Sequence, residues 1–324
     1  MRIFLTGGAG YIGSAATARL LEGGHEVMVY DSLVTGHRQA VPERAQFIEA
    51  DLEDHEALFA ALSSGGFDAV MHFAAFIEAG ESMQEPGKYY QNNAINSLWL
   101  LEGCVQAGIQ RFVYSSSAAV YASSDDPLSE DSQLRPSNTY GQTKLMVEGL
   151  LNWYRETHGL GYAALRYFNA AGALPDRGEA HQPESHLIPL VLQVALKQRP
   201  EIAIFGTDYP TPDGTCIRDY IHLADLVSAH MLALEVLEPG ASRIYNVGNG
   251  AGYSVREVIE TAGKVTGHRL RAVETARRPG DPPRLVASSD RIRAELGWSP
   301  QFPELEAIVA SAWEWHRSHP IGYD

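Results

Sequence analysis

Tyr140 and Lys144 stand four residues apart in the stretch Pro136 to Lys144, which reads Pro-Ser-Asn-Thr-Tyr-Gly-Gln-Thr-Lys. If the helix suggested by Lys144 to Leu151 begins at Tyr140, one turn brings the ammonium beneath the phenol on the same face. A free phenol titrates near ~10, and a cation a few ångströms away favours phenolate, so this pair can take a proton from an alcohol near neutrality. Ser115-Ser116-Ser117 ends the apolar run Arg111 to Tyr114. A serine at a strand's carboxyl end can donate to or accept from a sugar hydroxyl, which nominates Ser117 as a proton relay to Tyr140. In isolation, Tyr-x-x-x-Lys is more often an exposed helical pair, and a serine run a structural turn. The elements before them decide the matter.

Met1 to Thr6 reads as a strand buried on both faces, followed by Gly7-Gly8-Ala9-Gly10-Tyr11-Ile12-Gly13 and the helical pattern Ala15 to Leu21. Gly7, Gly10 and Gly13 permit a tight turn and close approach of a pyrophosphate. The N–H groups of Tyr11, Ile12 and Gly13 then open the helix toward it. A second strand, His25 to Tyr30, ends at Asp31 and Ser32. An acid at that distance binds both hydroxyls of the adenosine ribose and repels a 2′-phosphate, so NAD is expected rather than NADP; Arg38 is the nearby cation that would serve the alternative. Strands Gln46 to Ala50 and Ala69 to Phe73 end at Asp51-Leu52 and Ala74-Ala75. Ligands of an open parallel sheet sit at such ends, so Asp51 and Leu52 are assigned to adenine, and Phe73, Ala74, Ala75 and Ile77 to the dinucleotide groove. A helix over Tyr89 to Ala107 places Asn92 where it can reach inward.

A chain of 324 residues with 45% hydrophobic side chains can fill one large α/β unit and a smaller one. Its net charge of −15 argues against nucleic acid or an anionic membrane as partner, so any phosphate site must be local. Cys104 and Cys216 are far apart, no metal-ligand spacing is read, and no signal-peptide or membrane-spanning run is found. The expected protein has no metal, is soluble, and sits in a cytoplasm that keeps both thiols reduced.

Together these residues resemble the extended short-chain dehydrogenase/reductase family. Thr6 to Gly13 matches its nucleotide loop and Tyr140 to Lys144 its catalytic motif. Within it, His72-Phe73-Ala74-Ala75, Gly80-Glu81-Ser82, Ser115 to Ala118, Arg166-Tyr167-Phe168-Asn169, Asp213-Gly214-Thr215 and Arg218-Asp219-Tyr220-Ile221-His222 resemble the members that invert C4 of UDP-hexoses in galactose metabolism. The resemblance runs from Met1 to the Trp313-Glu314-Trp315-His316 tail. It implies that Tyr140 takes the 4-hydroxyl proton with help from Ser117, while hydride passes to a tightly held NAD. The 4-ketose then turns and is reduced on its other face. Lys144 holds the nicotinamide ribose, and Ser115 and Phe168 join the cofactor site. Asn169, His186, Leu187, Phe205, Arg218, Arg278, Asp281 and Leu285, with Ser117 and Tyr140, are implied as substrate residues. Ile77 stands where relatives commonly carry lysine, which weakens the expected grip on NAD. Leu285, intermediate in bulk, predicts preference for glucose and galactose over N-acetylated sugars.

Strands alternate with helices to about residue 170, which gives a doubly wound parallel sheet of the Rossmann type over 1–170, joined by part of 218–248, and a smaller mixed α/β substrate domain over 171–324. The resemblance adds a homodimer made by helices beginning near Pro86 and Tyr140. Rival readings are a 4-epimerase of UDP-GlcNAc, UDP-glucuronate or a UDP-pentose; a nucleotide-sugar dehydratase, which would need carboxylates where Ser117-Ala118 stands; and a non-catalytic NAD-binding regulator, which would not need Tyr140 and Lys144.

Overall fold

A computed structural model of the protein describes residues 1–278 and 281–323. The first two residues of the proline- and glycine-rich stretch 279–283, expected to be loop, lie outside the described ones. Strand β1 (Arg2–Thr6) buries Ile3, Phe4 and Leu5 completely, as a strand covered on both faces must. Gly7 follows with φ +76°, and a Cβ there would lie 2.4 Å from the Ala74 nitrogen. Only glycine lets the chain turn so closely beside the end of the neighbouring strand. Helix α1 (Tyr11–Glu22), β2 (Glu26–Asp31), β3 (Gln46–Glu49), α2 (His55–Ser63) and β4 (Ala69–His72) come next.

The helix expected over Tyr89 to Ala107 is present to Gln106, but it widens near its start. Two single turns, α3 (Ala79–Ser82) and α4 (Pro86–Tyr89), lead into a π-helical stretch, Tyr90–Ile95, and then α5 (Asn96–Gln106). The cause lies at Asn93: its amide brackets the Phe76 backbone, accepting from Phe76 N and donating to Phe76 O, both at 2.9 Å. Widening the helix turn accommodates this inward residue. After β5 (Arg111–Ser115) come α6 (Thr139–His158) and β6 (Gly161–Tyr167). The rest of the chain forms β7 (Asn169–Ala171), α7 (Leu187–Ala195), β8 (Ile202–Phe205), β9 (Ile217–His222), α8 (Leu223–Glu235), β10 (Ser242–Val247), β11 (Gly252–Ser254), α9 (Val255–Thr266), β12 (Ala272–Thr275), β13 (Arg284–Leu285), α10 (Asp290–Leu296) and α11 (Leu305–Ser318).

Seven strands form the main sheet in the order β10-β6-β5-β4-β1-β2-β3, with parallel pairing from β3 through β6. This is the doubly wound arrangement in which the order reverses beside β1, where dinucleotides bind at strand ends. Phe4, Val70, Phe112 and Leu151 belong to its core. Within it, the His72 ring joins Thr6 Oγ1 (2.6 Å) and Ser97 Oγ (2.8 Å), and complete burial pushes its pKa down to about 3, so it works as a neutral hydrogen-bonding brace.

The chain divides into two compact units that are not two continuous stretches: 1–122, 133–166 and 227–245 make one, and 123–132, 167–226 and 246–324 the other. The expected division, 1–170 joined by part of 218–248, does not include the departure of 123–132. The second unit has a four-stranded sheet centred on β9, a parallel β8–β12 pair, and a core that includes Val191, Ile204, Ile308 and Val309. Helix α9 opens on a reciprocal cap, Ser254 accepting from Glu257 N and the Glu257 side chain from Ser254 N.

Candidate active site

Helix α6 begins because Asn138 caps it, its side chain accepting from Gly141 N at 2.8 Å. Tyr140 thus sits in the first turn and Lys144 in the second. Both side chains face inward, at 8% and 2% exposure, and Lys144 Nζ lies 5.8 Å from the Tyr140 ring centre. The same ammonium donates to Ser115 O at 2.8 Å, at the end of β5. Burial pushes the Lys144 pKa down to about 7 against the raising influence of Glu148, one turn further along α6. Tyr140 is anchored through its backbone, which donates to Ser82 Oγ at 3.1 Å and accepts from Thr143 Oγ1 at 2.7 Å. Two residues beyond Ser115, the buried Ser117 accepts from Ala119 N and caps the short 3-10 turn Ala118–Val120.

A second layer, silent in sequence, braces this group. Glu148 is buried and paired with the buried Arg166, 2.6 Å from Nη2, and accepts from Ser116 Oγ at 2.6 Å. Arg166 also donates to Tyr121 Oη at 2.9 Å. The bracket thereby ties α6 to the serine turn carrying Ser117. Asn93 is buried against Phe76, and the nominated Asn92 beside it is half-buried and donates to Asn93 Oδ1 at 2.9 Å. Asn93 also donates to Thr143 Oγ1 at 3.2 Å, linking the π-helical stretch to α6.

In the same unit, the start of α1 fits a pyrophosphate. Gly10 provides no side-chain cap, so no side chain of that residue competes with a phosphate for the first turn of the helix, Tyr11, Ile12 and Gly13. A Cβ at Gly13 would lie 2.1 Å from Gly7 O. Asp31 at the end of β2 accepts from Ala9 N and Leu33 N, each at 2.9 Å, which locks its carboxylate against the glycine turn. Burial pushes the Asp31 pKa up, and those two backbone bonds oppose the rise. Arg38, the cation that would favour NADP, has its guanidinium 4.6 Å over the Phe47 ring. Ser32 follows Asp31 half-buried; Asp51 accepts from Glu53 N at 2.8 Å, and Leu52 is buried. Phe73, Ala74, Ala75 and Ile77 are half-buried in the irregular stretch after β4, the Phe73 ring 5.0 Å from that of His230.

The remaining nominated residues lie in the second unit. Phe168 is buried just before β7, and Asn169, exposed, pairs in register with Tyr220. Arg218 on β9 donates to Ile217 O and Pro282 O, both at 2.9 Å, and stands 3.6 Å from Asp281. Leu285 on β13 is its register partner. Asp219, next in β9, is buried and accepts from Asn249, Gly250 and Ala287 N–H groups, a brace that the motifs do not single out. Arg278 stacks 3.8 Å over Phe205, so the ring assigned to uracil already has a guanidinium on one face. His186 precedes α7 and Leu187 opens it. Against the expectation of no metal-ligand cluster, Glu179, His181, Glu184 and His186 gather their ligand atoms within 4.8 Å of one another. The alternation Glu-x-His-x-x-Glu-x-His was the available signal.

The sequence matches the NAD dependent epimerase/dehydratase family over residues 3–248. A UDP-glucose 4-epimerase of Halalkalibacterium halodurans is 49% identical over all of this chain and 98% of its own. A crystal structure of a UDP-glucose 4-epimerase superimposes with a TM-score of 0.96 at 47% identity, covering 100% of both chains. Another, from Stenotrophomonas maltophila with bound NAD and formylated UDP-arabinopyranose, gives 0.94 at 39% identity over 99% of each chain. With the glycine turn, the α6 pair and the whole length matched, the chain belongs to the NAD dependent epimerase/dehydratase family.

Proposed function

We propose that the protein interconverts UDP-galactose and UDP-glucose by inverting the sugar at C4, with NAD as a resident cofactor. The observation that carries this reading is the buried Tyr140–Lys144 pair on α6, joined through Ser115 to the strand end that bears Ser117. The uncapped start of α1, the glycine cradle that a Cβ would fill, and Asp31 fit a dinucleotide. When bound, NAD supplies reversible oxidation and reduction at C4. Tyr140 Oη takes the proton of the 4-hydroxyl and returns it after inversion, and Ser117 Oγ steadies that hydroxyl. Lys144, as ammonium, favours phenolate and offers its N–H groups to the nicotinamide ribose. Gly7, Gly10, Tyr11, Ile12 and Gly13 serve the pyrophosphate, Asp31 and Ser32 the adenosine ribose, and Asp51 and Leu52 the adenine. Phe73, Ala74, Ala75, Ile77, Asn92, Ser115 and Phe168 complete the proposed cofactor set.

In the second unit, Arg218 and Arg278 are proposed to neutralise the diphosphate, with Asp281, Phe205, Asn169, His186, Leu187 and Leu285 serving the nucleotide sugar. The chain is further proposed to act as a homodimer. Met146 and Trp153, seven residues apart on α6 with Trp153 66% exposed, form an apolar stripe suited to a partner helix. Gel filtration with light scattering tests it. Both cysteines are buried and free, in keeping with a cytoplasmic setting, and among the described residues no helix is long and apolar enough to cross a membrane.

The deciding experiment incubates the purified protein with UDP-galactose and no added cofactor. Formation of UDP-glucose establishes the reaction and NAD retention together. Product only after NAD addition keeps the reaction and removes tight retention, with Ile77 the first suspect. Absence of product in both cases overturns the proposal and moves the assignment to UDP-glucuronate or a UDP-pentose.

A further inference from the structure

The stretch between β7 and α7 has no long helix or strand, yet it buries a carboxylate. The Glu179 side chain is 5% exposed, and two imidazoles converge on one of its oxygens: Oε1 lies 3.1 Å from His181 Nδ1 and 2.7 Å from His186 Nδ1. His186 Nδ1 is in turn 3.1 Å from Glu184 Oε1. One ring nitrogen carries at most one hydrogen, so the two oxygens about His186 Nδ1 outnumber the protons that can sit there. A cation at the shared centre would satisfy them all.

We propose that Glu179, His181, Glu184 and His186 form a binding site for a divalent transition-metal ion of zinc's class. Two imidazoles and two carboxylates are borderline ligands suited to zinc, and calcium sites take oxygens alone. Tetrahedral zinc with bonds of about 2.0–2.2 Å places its ligand atoms about 3.3 Å apart; the pairs at 3.1, 2.7 and 3.1 Å are a few tenths of an ångström closer than that, while the four atoms together, spread within 4.8 Å, draw in on binding. Glu184 Oε1 also accepts from Ser185 N and His186 N, each at 2.8 Å. Such outer bonds orient a ligating carboxylate before the metal arrives. The half-exposed His186 ring supplies an entry route. Bound there, the ion pins 179–186 against the start of α7. Coordination through Nδ1 leaves His186 Nε2 for other contacts. The site shares His186 with the proposed nucleotide-sugar set, and its test reads metal binding rather than turnover.

The test uses the full chain, stripped with a chelator and titrated with zinc chloride alone by calorimetry, then with cobalt(II) followed by visible absorption. The expected result is one zinc per chain, retained through gel filtration, and intense cobalt bands of a four-coordinate N/O site. The paired substitution His181→Asn and Glu184→Gln should weaken zinc more than tenfold. The cobalt spectrum of the unaltered protein reads the ligation even if that variant folds poorly. Zinc below one equivalent, weak six-coordinate cobalt bands, or equal affinity in a folded variant would overturn the site and leave a hydrogen-bonded clasp of histidines and carboxylates.

Discussion

Lys144 Nζ lies 5.8 Å from the centre of the Tyr140 ring and spends one of its hydrogens on Ser115 O at 2.8 Å. The cation that must favour phenolate is thereby fixed at the sheet end and does not swing toward solvent. Tyr140→Phe keeps the ring and removes the proton acceptor. Turnover of UDP-galactose should fall by roughly 10²- to 10⁴-fold, the usual worth of positioned acid–base groups, with NAD content after purification unchanged. Loss of both together would make the residue structural.

The pKa of Lys144, pushed down to about 7, has a stability consequence of definite sign. The folded state binds this proton more weakly than the unfolded chain, so the lysine opposes folding progressively as pH falls from about 10.5 toward 7. Lys144→Met should therefore raise stability of the NAD-free protein at pH 6 and much less at pH 10, while abolishing turnover. Each tenfold weakening of proton binding in the folded state corresponds to at most about 1.4 kcal/mol of that gain. Urea unfolding at the two pH values measures the difference. A variant less stable than the parent at pH 6 contradicts the argument.

Glu148 and Arg166 are both buried, so removing one leaves the other charge unpaired. Glu148→Ala should cost about 3–5 kcal/mol and release the Ser116 hydroxyl. Replacing both with apolar residues of similar size should recover much of that loss in denaturant unfolding.

At Asp31 the expected outcome concerns cofactor choice. Asp31→Asn removes the charge that repels a 2′-phosphate, while its amide oxygen can still accept from Ala9 N or Leu33 N. The ratio of NAD to NADP affinity should fall about tenfold or more, read by nucleotide titration of the stripped protein. An unchanged ratio would assign discrimination elsewhere, with Arg38 held over Phe47 the next position to examine.

Leu285, half-buried on the two-residue strand β13, is the proposed size filter. Leu285→Ser should raise kcat/KM for UDP-GlcNAc relative to UDP-galactose by about 10- to 200-fold, the range that even one methylene commands in a pocket. Equal use of both sugars by the unaltered protein would remove the filter from this position.

What could be read along the chain was local. The glycine turn, the Tyr140–Lys144 spacing and the Asp31 strand end each depend on a few consecutive residues whose helix or turn geometry follows from their own types, and the alternating strand and helix pattern set the parallel sheet. What only tertiary structure decided depends on partners distant in sequence. The bracing role of Asn93 could not be read without Phe76, 17 residues away, to receive it. The Glu148–Arg166 pair and its Ser116 contact span separations of 18 and 32 residues, and neither carboxylate nor guanidinium is buried until β5, β6 and α6 pack together. Segment 123–132 likewise changes units because its contacts, not chain order, assign it. Glu179, His181, Glu184 and His186 are neighbours in sequence, but alternation alone does not converge ligands. The loop had to be folded upon itself first, since four donor atoms meet at one point only when the backbone between them is held.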